Sequence, residues 1–487
     1  MFSFFALLLS AAIAVGVAIT QPEPISPIML VICIFNGTLC ARYFLNWACG
    51  RYNLFDPIGL FGFFGIIYFL ISPLVQIGND FWPFIPPLTA DHDWLILWAL
   101  LNSIGLIAFT FIVDVQQRRP IVDRQFWTVD ASRFTLAALV AMAVSVIIQL
   151  YILARFGGVA GLVSTYSMRQ EMQLGRTEDD PFNNLGLPLL IAESFKYVFA
   201  MYVIIRLKNV KVAKSVMFFV FLMSMFFIVF MVFGGLRGSR SSTVFSLIFA
   251  AGMYHFWIKE LSRKTVLIGI VFLFGFLNAY YWYKISGQEG LSAIFSAEER
   301  SYYSEDRQDN LVYVVARDMG RMDVQTLAMM RSEDGRLPYA WGKTYLDAPF
   351  TIIPKVLVPW KPETLVESKN VIANRVSLFS RDSTIVMGMV GEGVINFGPI
   401  GGLASFAVLG CLMAWARRLL YSLRSGDIRR LLFPVIALTP VLFLIEDAGL
   451  IVMIVAKALL VPIIILFISS KKMDYSKMKS NLTTRVK

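Results

Sequence analysis

The stretch GGLRGSRSS at 234–242 sets two arginines, Arg237 and Arg240, in a glycine-rich turn that opens onto an apolar helical run. A helix N-terminus leaves backbone N–H groups unpaired and carries the positive end of the helix dipole, and the spacing puts Ser241 or Ser242 in position to cap it. Free N–H groups and two guanidinium forks converging on one turn make a site for phosphate or diphosphate. The competing use of such arginines is snorkelling to lipid headgroups; glycines that expose backbone favour the anion site. Further along, ARDMGRMD holds Arg317 and Arg321 one helical turn apart, accompanied by Asp318 and Asp323. On a helix these groups form salt bridges along one face. PKVLVPWKP fixes Lys355 and Lys361 between prolines, with Trp360 adjacent. An ordered aromatic beside a held cation suits a sugar, a lipid phosphate or interfacial anchoring. Arg375 and Arg381 follow, with Asp382.

The segment TIVMGMVGEGVINFGPIGG (384–402) is apolar and glycine-rich, and Glu392 and Asn396 share a face if it is helical. An acid in such a run needs a partner or a task. Two tasks stay open: general base toward a hydroxyl acceptor, or structural partner of an arginine. Glu193, Lys196, Lys457, Glu446 and Asp447 are further charges in apolar surroundings, and Lys196 and Lys457 are read as paired structural charges. With two histidines, His92 and His255, and with Cys33, Cys40, Cys49 and Cys411 lacking ligand spacing, no metal site is expected. The cysteines are read as packed thiols. GKT at 342–344 fails as a P-loop, because six residues rather than four separate Gly335 from Gly342. No cofactor is expected.

These residues need a scaffold, and composition names it. The chain has 487 residues, 57% hydrophobic and 16% charged, against about 45–50% and about 25% for soluble domains. That excludes a soluble globular or disordered chain and points to an all-α polytopic membrane protein. Apolar stretches near 2–20, 26–46, 57–78, 93–113, 134–154, 185–205, 214–233, 241–258, 265–283, 397–416, 431–446 and 449–468 give twelve spans of about the required 20 residues. The first has no basic region before it and is read as a span rather than a signal peptide. Of 44 basic residues, 24 fall in alternate connections: at Arg42 and Arg51, Arg118 to Arg133, Arg206 to Lys214, Lys259 to Lys264, Arg417 to Arg430, and in the tail from Lys471 to Lys487. The intervening short connections 21–25, 79–92 and 447–448 carry none. This is the positive-inside pattern, with both termini cytoplasmic. The net charge of +11 is therefore a topology signal for a chain in a lipid bilayer, and no nucleic-acid partner is expected.

The chain divides into spans one to nine (1–284), a large external loop (285–384), spans ten to twelve (385–470) and a basic tail (471–487). The loop has an acidic first half and a basic second half. Helical spacing runs over 311–330, with Leu311, Val314, Val315, Met319 and Met322 along one side. Pro349, Pro354, Pro359 and Pro362 exclude a regular helix over 347–364. The loop is read as a lid over an outward-facing cavity, and its displacement from the chain's centre argues against two transporter-like halves.

Four motifs in order, GGLRGSR (234–240), ARDMGRMD (316–323), IPKVLVPWKP (353–362) and GEGVINFGPIGG (391–402), resemble the Wzy-type O-antigen and oligosaccharide repeat-unit polymerases, and the layout is similar to the enterobacterial common antigen polymerases. The resemblance implies an inner-membrane glycosyltransferase with a GT-C-like fold, active at the periplasmic face. It implies transfer of a growing glycan from undecaprenyl diphosphate to an undecaprenyl-diphosphate-linked repeat unit, with a chain-length regulator and a flippase as partners. Carried over, Arg237 and Arg240 bind the donor diphosphate, and Arg317, Arg321, Lys361, Arg375 and Arg381 complete the cationic site. Glu392, Asp318 and Asp323 are the candidate bases. An O-antigen ligase, which uses the same donor on a lipid A-core acceptor, is disfavoured because residues 285–384 contain no histidine. A glycosyltransferase using a lipid-phosphate sugar is disfavoured because the first external connection holds Glu23 alone. A polysaccharide transporter is disfavoured because the charges gather at the outer edge.

Overall fold

The computed structural model describes residues 2–82, 92–116, 125–171, 185–237, 240–286, 296, 315–316, 319–353, 357–362, 364–372 and 386–474. A helix covers each of the twelve apolar stretches: α1 Phe2–Thr20, α2 Pro27–Ala48, α3 Pro57–Ile66 running through a π turn into α4 Ser72–Gly78, α5 His92–Gln116, α6 Ala131–Arg155, α8 Gly186–Leu207, α9 Val216–Val232, α10 Arg240–Trp257, α11 Arg263–Ser286, α15 Gly388–Ser422, α16 Phe433–Ile445 and α17 Ala448–Ser469. Eight of these are long and apolar enough to cross a membrane, and three more are shorter apolar helices. Between them lie α7 Gly158–Glu171, α12 Met322–Glu333, α13 Lys343–Asp347 and α14 Thr364–Ile372. Outward-facing leucines, isoleucines and phenylalanines, such as Ile104, Phe111, Leu136, Ile147, Phe221 and Phe467, are exposed along the helices, a surface tolerated in lipid rather than in water. The protein is an all-α polytopic membrane protein, with one two-stranded antiparallel ribbon, β1 Gln125–Val129 against β2 Ser470–Asp474.

The helices pack in two groups. One core joins α1 to α5 with α12 and both halves of α15. The other joins α6, α8, α9, α10 and α17. Helix α16 contributes Phe443 and Leu444 to the first and Val435 to the second. All six basic segments contribute described residues to one end. Arg263 donates to the carbonyls of Trp47 and Tyr52, Lys259 to that of Lys214, Trp127 N to Asp427, and the ribbon ties 125–129 to 470–474. Within that end Arg417 grips Asp56 through both carboxylate oxygens at 2.8–3.0 Å, and Tyr421 adds a bond at 2.7 Å. Asp56 also caps α3, so the pair fixes α3 against α15 while being almost wholly buried. Lysine 471 and the first N–H groups of α6 bond Asp130, holding its carboxyl below the usual range.

Helix α15 is two helices. Phe397 (φ −143°, ψ 21°) and Gly398 (φ 65°, ψ −158°) are non-helical, and Pro399 follows. The halves, 388–396 and 399–422, lie antiparallel: the Ser405 hydroxyl donates to the Met389 carbonyl at 3.0 Å, across sixteen residues that a straight helix would separate by about 24 Å. Glycine lets the halves touch. A Cβ on Gly393 would lie 2.4 Å from the Gly401 carbonyl oxygen, and one on Gly401 would lie 2.1 Å from that of Gly393. The glycine-rich run is thus a short helix folded back on the span expected from 397.

Part of the segment 285–384 packs inside the bundle. Residues Met322–Met329 of α12 are buried without exception, with Gln325 bonded to Trp98, to Tyr68 and to the Met387 carbonyl. Helical structure does not run continuously over 311–330 either, since α12 begins at Met322. Gly320 breaks it: a Cβ there would sit 2.3 Å from both the Ala316 carbonyl oxygen and the Ser72 hydroxyl. Close approach to α4 takes precedence over helical spacing.

Two substitutions test this scaffold by thermal unfolding in detergent. Arg417→Ala leaves Asp56 buried without its cation and should cost about 3 kcal/mol, whereas Arg418→Ala beside it should be near neutral. Gly393→Ala should destabilise by about 1–3 kcal/mol or prevent folding, because overpacking separates the two halves of α15.

Candidate functional site at the loop end

Opposite the basic end, the turn between α16 and α17 gathers side chains from widely separated segments. Asp447 precedes α17 in extended conformation. It pairs with Lys369 of α14 and accepts the Met387 N–H at 2.9 Å. Glu392, on the short half of α15, is fully buried. One of its oxygens accepts the Ala448 N–H at 2.7 Å, so the carboxylate satisfies a donor at the start of α17. The other accepts the Thr344 hydroxyl at 2.6 Å. Asn396 donates to Thr344 Oγ1 at 2.7 Å and to the Glu392 carbonyl at 2.8 Å, and accepts the Gly342 N–H at 2.8 Å. Glu392 and Asn396 do share a helix face, as the spacing predicts.

The segment 339–342 closes the free end of that half-helix. Ala340 and Trp341 donate their N–H groups to the carbonyls of Ile395 and Asn396, which satisfies two of the acceptors a helix C-terminus leaves open. This holds Trp341 at φ +51°, a conformation uncommon outside glycine. Its indole is exposed, edge-on to Tyr339 and to Phe397. Tyr345 lies near Glu392, and burial together with that carboxylate pushes its phenol up to about 12; it is a protonated donor at neutral pH.

Glu392 is bound neither to an arginine nor toward open space. Both oxygens are occupied by donors, so in this arrangement it joins α13, α15 and α17. Asp323 is fully buried in the first turn of α12. Arg321 is nearly buried and donates to the Ile445 carbonyl at 2.9 and 3.3 Å and to that of Gly320, a cation at the C-terminus of α16. It is the residue that precedes α12 rather than part of that helix. Lys361 donates to the carbonyls of Thr351 and Ile353 at 3.1 Å each. Beside it opens a cleft of about 420 Å³, lined by Lys343, Pro359, Trp360, Lys361, Pro362, Thr364 and Glu367. The carboxylate that faces open space here is Glu367, which no sequence feature singled out.

Arg237 and Arg240 stand elsewhere. Arg237 closes a short 3-10 turn, Gly235–Arg237, packed on α7, α9 and α10. Arg240 is the first residue of α10, so Ser241 and Ser242 fall inside its first turn and neither is the cap residue. This turn belongs to the second helix group, apart from the network around Glu392. Arg317, Asp318, Lys355, Arg375 and Arg381 lie outside the described residues. Among the described residues, Lys196 and Lys457 both approach Glu193, at 3.9 and 3.4 Å, as structural pairing predicts. No group of three potential metal ligands occurs among them.

Sequence reasoning missed Thr344, Lys369, Asp447's role and Trp341. Thr344 meets Glu392 across 48 residues, and Lys369 meets Asp447 across 78; no local pattern marks such pairs. Comparison with protein families, with curated proteins and with solved structures finds no match for this chain.

Thr344→Val removes the hydroxyl that links Glu392 to Asn396 and leaves a buried carboxylate oxygen short of a donor. A loss of about 1–3 kcal/mol follows, read as a lowered unfolding midpoint, with Thr344→Ser near wild type. Equal midpoints for the valine and serine variants would show that the bridge contributes nothing.

Proposed function

We propose that this protein is a membrane glycosyltransferase that lengthens a glycan carried on undecaprenyl diphosphate. One observation carries the reading. Of the four motif segments that resemble repeat-unit polymerases, three meet at the α16–α17 turn. ARDMGRMD supplies Arg321 to the Ile445 carbonyl. IPKVLVPWKP holds Lys361 on the Thr351 carbonyl, and Thr351 in turn bonds Gly449. GEGVINFGPIGG brings Glu392 to Ala448. A resemblance scattered over some ninety residues of sequence thus coincides with one spatial cluster beside a polar cleft.

In the proposed reaction the bond from the donor sugar's C1 to the diphosphate oxygen breaks, and its electron pair leaves with undecaprenyl diphosphate. The acceptor sugar's hydroxyl oxygen bonds to C1, and its proton passes to a base or to the departing diphosphate. Diphosphate is already a good leaving group, so the protein's main task is to stabilise the charge that grows on it. The N-terminus of the 18-residue α10, which begins at Arg240, offers backbone N–H groups and dipole for that task, with Arg237 nearby in sequence. The same reading takes the chain through the inner membrane twelve times in a GT-C-like arrangement. The end that collects the basic segments is cytoplasmic, and the site end is periplasmic. A chain-length regulator and a flippase are its expected partners.

Deletion of the gene followed by gel analysis of surface glycan separates the alternatives. Glycan limited to a single repeat supports the polymerase. Loss of all glycan from the lipid A-core means a ligase, and absence of external glycan means a transporter. Arg240→Ala should abolish long chains while the protein remains inserted at normal abundance; wild-type chain length in that variant would overturn the diphosphate role of this turn.

A further inference from the structure

The cleft beside Lys361 has a chemistry distinct from the Glu392 network. Its walls come from three places: Lys343 at the start of α13, Trp360 and Lys361 on the proline-broken strand of chain, and Thr364 with Glu367 in the first turn of α14. Its volume of about 420 Å³ lies within the range of small-molecule sites, about 300–1,000 Å³. Lys343, Trp360 and Glu367 are exposed at its walls, and the Trp360 indole is 69% exposed.

An exposed tryptophan at this end of a membrane protein has an ordinary use as an interfacial anchor. The other walls argue for a ligand instead. Two lysines, a glutamate and a threonine line the same space as the indole. A lipid tail would offer no polar partner to Lys343, Thr364 or Glu367. A bare phosphate would meet the lysines but be repelled by Glu367. A sugar ring suits the whole set: its hydroxyls accept from Lys343, Lys361 and Thr364 and donate to Glu367, while its C–H face lies on the indole. The cleft is also held in shape before anything binds. Pro359 and Pro362 flank Trp360 and Lys361, Trp360 packs edge-on against Phe350, and Lys361 is held by the Thr351 and Ile353 carbonyls. Pre-positioned groups lose little freedom on binding. Lys343 is followed directly by Thr344, the residue bonded to Glu392, so a ring in the cleft abuts the network.

We infer that this cleft is a saccharide subsite, in which Trp360 stacks on one ring of the glycan and Glu367, Lys343 and Lys361 bond its hydroxyls. The inference rests on the glycosyltransferase reading for the identity of the sugar but not for its test. The probe is the single-repeat oligosaccharide released by mild acid from cells lacking the protein, or, should those cells make none, the same repeat cut from wild-type surface glycan. Saturation-transfer NMR with the full-length protein in detergent should show transfer to the sugar protons. Trp360→Ala and Glu367→Gln should each weaken binding by about ten-fold or more, equivalent to about 1.4 kcal/mol, with unfolding midpoints unchanged. Trp360→Phe, which keeps a flat ring, should recover part of it. Inorganic diphosphate in excess should leave the signal intact. Undiminished transfer in Trp360→Ala overturns the subsite, as does displacement by diphosphate, which would make the cleft an anion site. A lowered midpoint in bilayers with transfer unaffected would make Trp360 an anchor and also overturn it. Because binding is read directly, a deletion strain with the wrong glycan phenotype would remove the polymerase reading without touching this result.

Discussion

A carboxylate deprived of water is costly unless each of its oxygens is hydrogen-bonded, and Glu392 meets that demand with groups from two distant segments. The Ala448 N–H comes from the start of α17, the Thr344 hydroxyl from α13, and Asn396 completes the ring from its own half-helix. Neither Ala448 nor Thr344 is a neighbour of Glu392 in sequence. Satisfying one buried charge therefore sets where α13 lies, where the short half of α15 stops and where α17 begins. Asp447 extends the same logic by one residue, taking Lys369 and the Met387 N–H. The loop end of the bundle is organised by two adjacent buried acids and the donors they require.

The rest of the architecture brings those donors within reach. The short half of α15 can fold against the long half because Gly393 and Gly401 present bare backbone to each other, the close approach that small residues allow between membrane helices. Its carbonyl end would be unpaired were it not closed by Ala340 and Trp341. Helix α12 is locked beneath it by Gln325, whose amide reaches α5, the π turn after α3 and the Met387 carbonyl. At the far end the Asp56–Arg417–Tyr421 group does equivalent work, tying α3 to the long half of α15. Helix α15 is thus anchored by buried polar groups at both ends.

This division of labour bears on the chemistry. Groups already saturated by internal bonds, such as Glu392 and Arg321, are suited to holding a shape. Groups that face the cleft, such as Glu367, Lys343 and Trp360, are suited to meeting a ligand. The polymerase proposed above would need both kinds, because it would hold two large substrates in register while the strong charge change occurs on a diphosphate.

Much of the fold was legible in the sequence. Apolar run length placed a helix at every one of the twelve stretches, since nothing but a helix satisfies the backbone across so many apolar residues in lipid. The distribution of lysine and arginine foretold which connections would meet at one end. Local spacing foretold that Glu392 and Asn396 share a face, and proline density that the described residues between Ala348 and Pro362 form no α-helix. What local spacing could not foretell was contact. It read 311–330 as one helix because periodicity carries no information about Ser72, against which Gly320 must press. It could not foretell that α12 is buried, because that burial depends on partners more than two hundred residues away. It offered Glu392 a base's role or an arginine partner, and tertiary structure supplied a threonine and a backbone N–H instead. Helix formation in a membrane is decided by hydrogen bonds within a segment, so sequence suffices for it. A buried charge is decided by whichever distant donors the packed chain delivers, and only the folded bundle determines those.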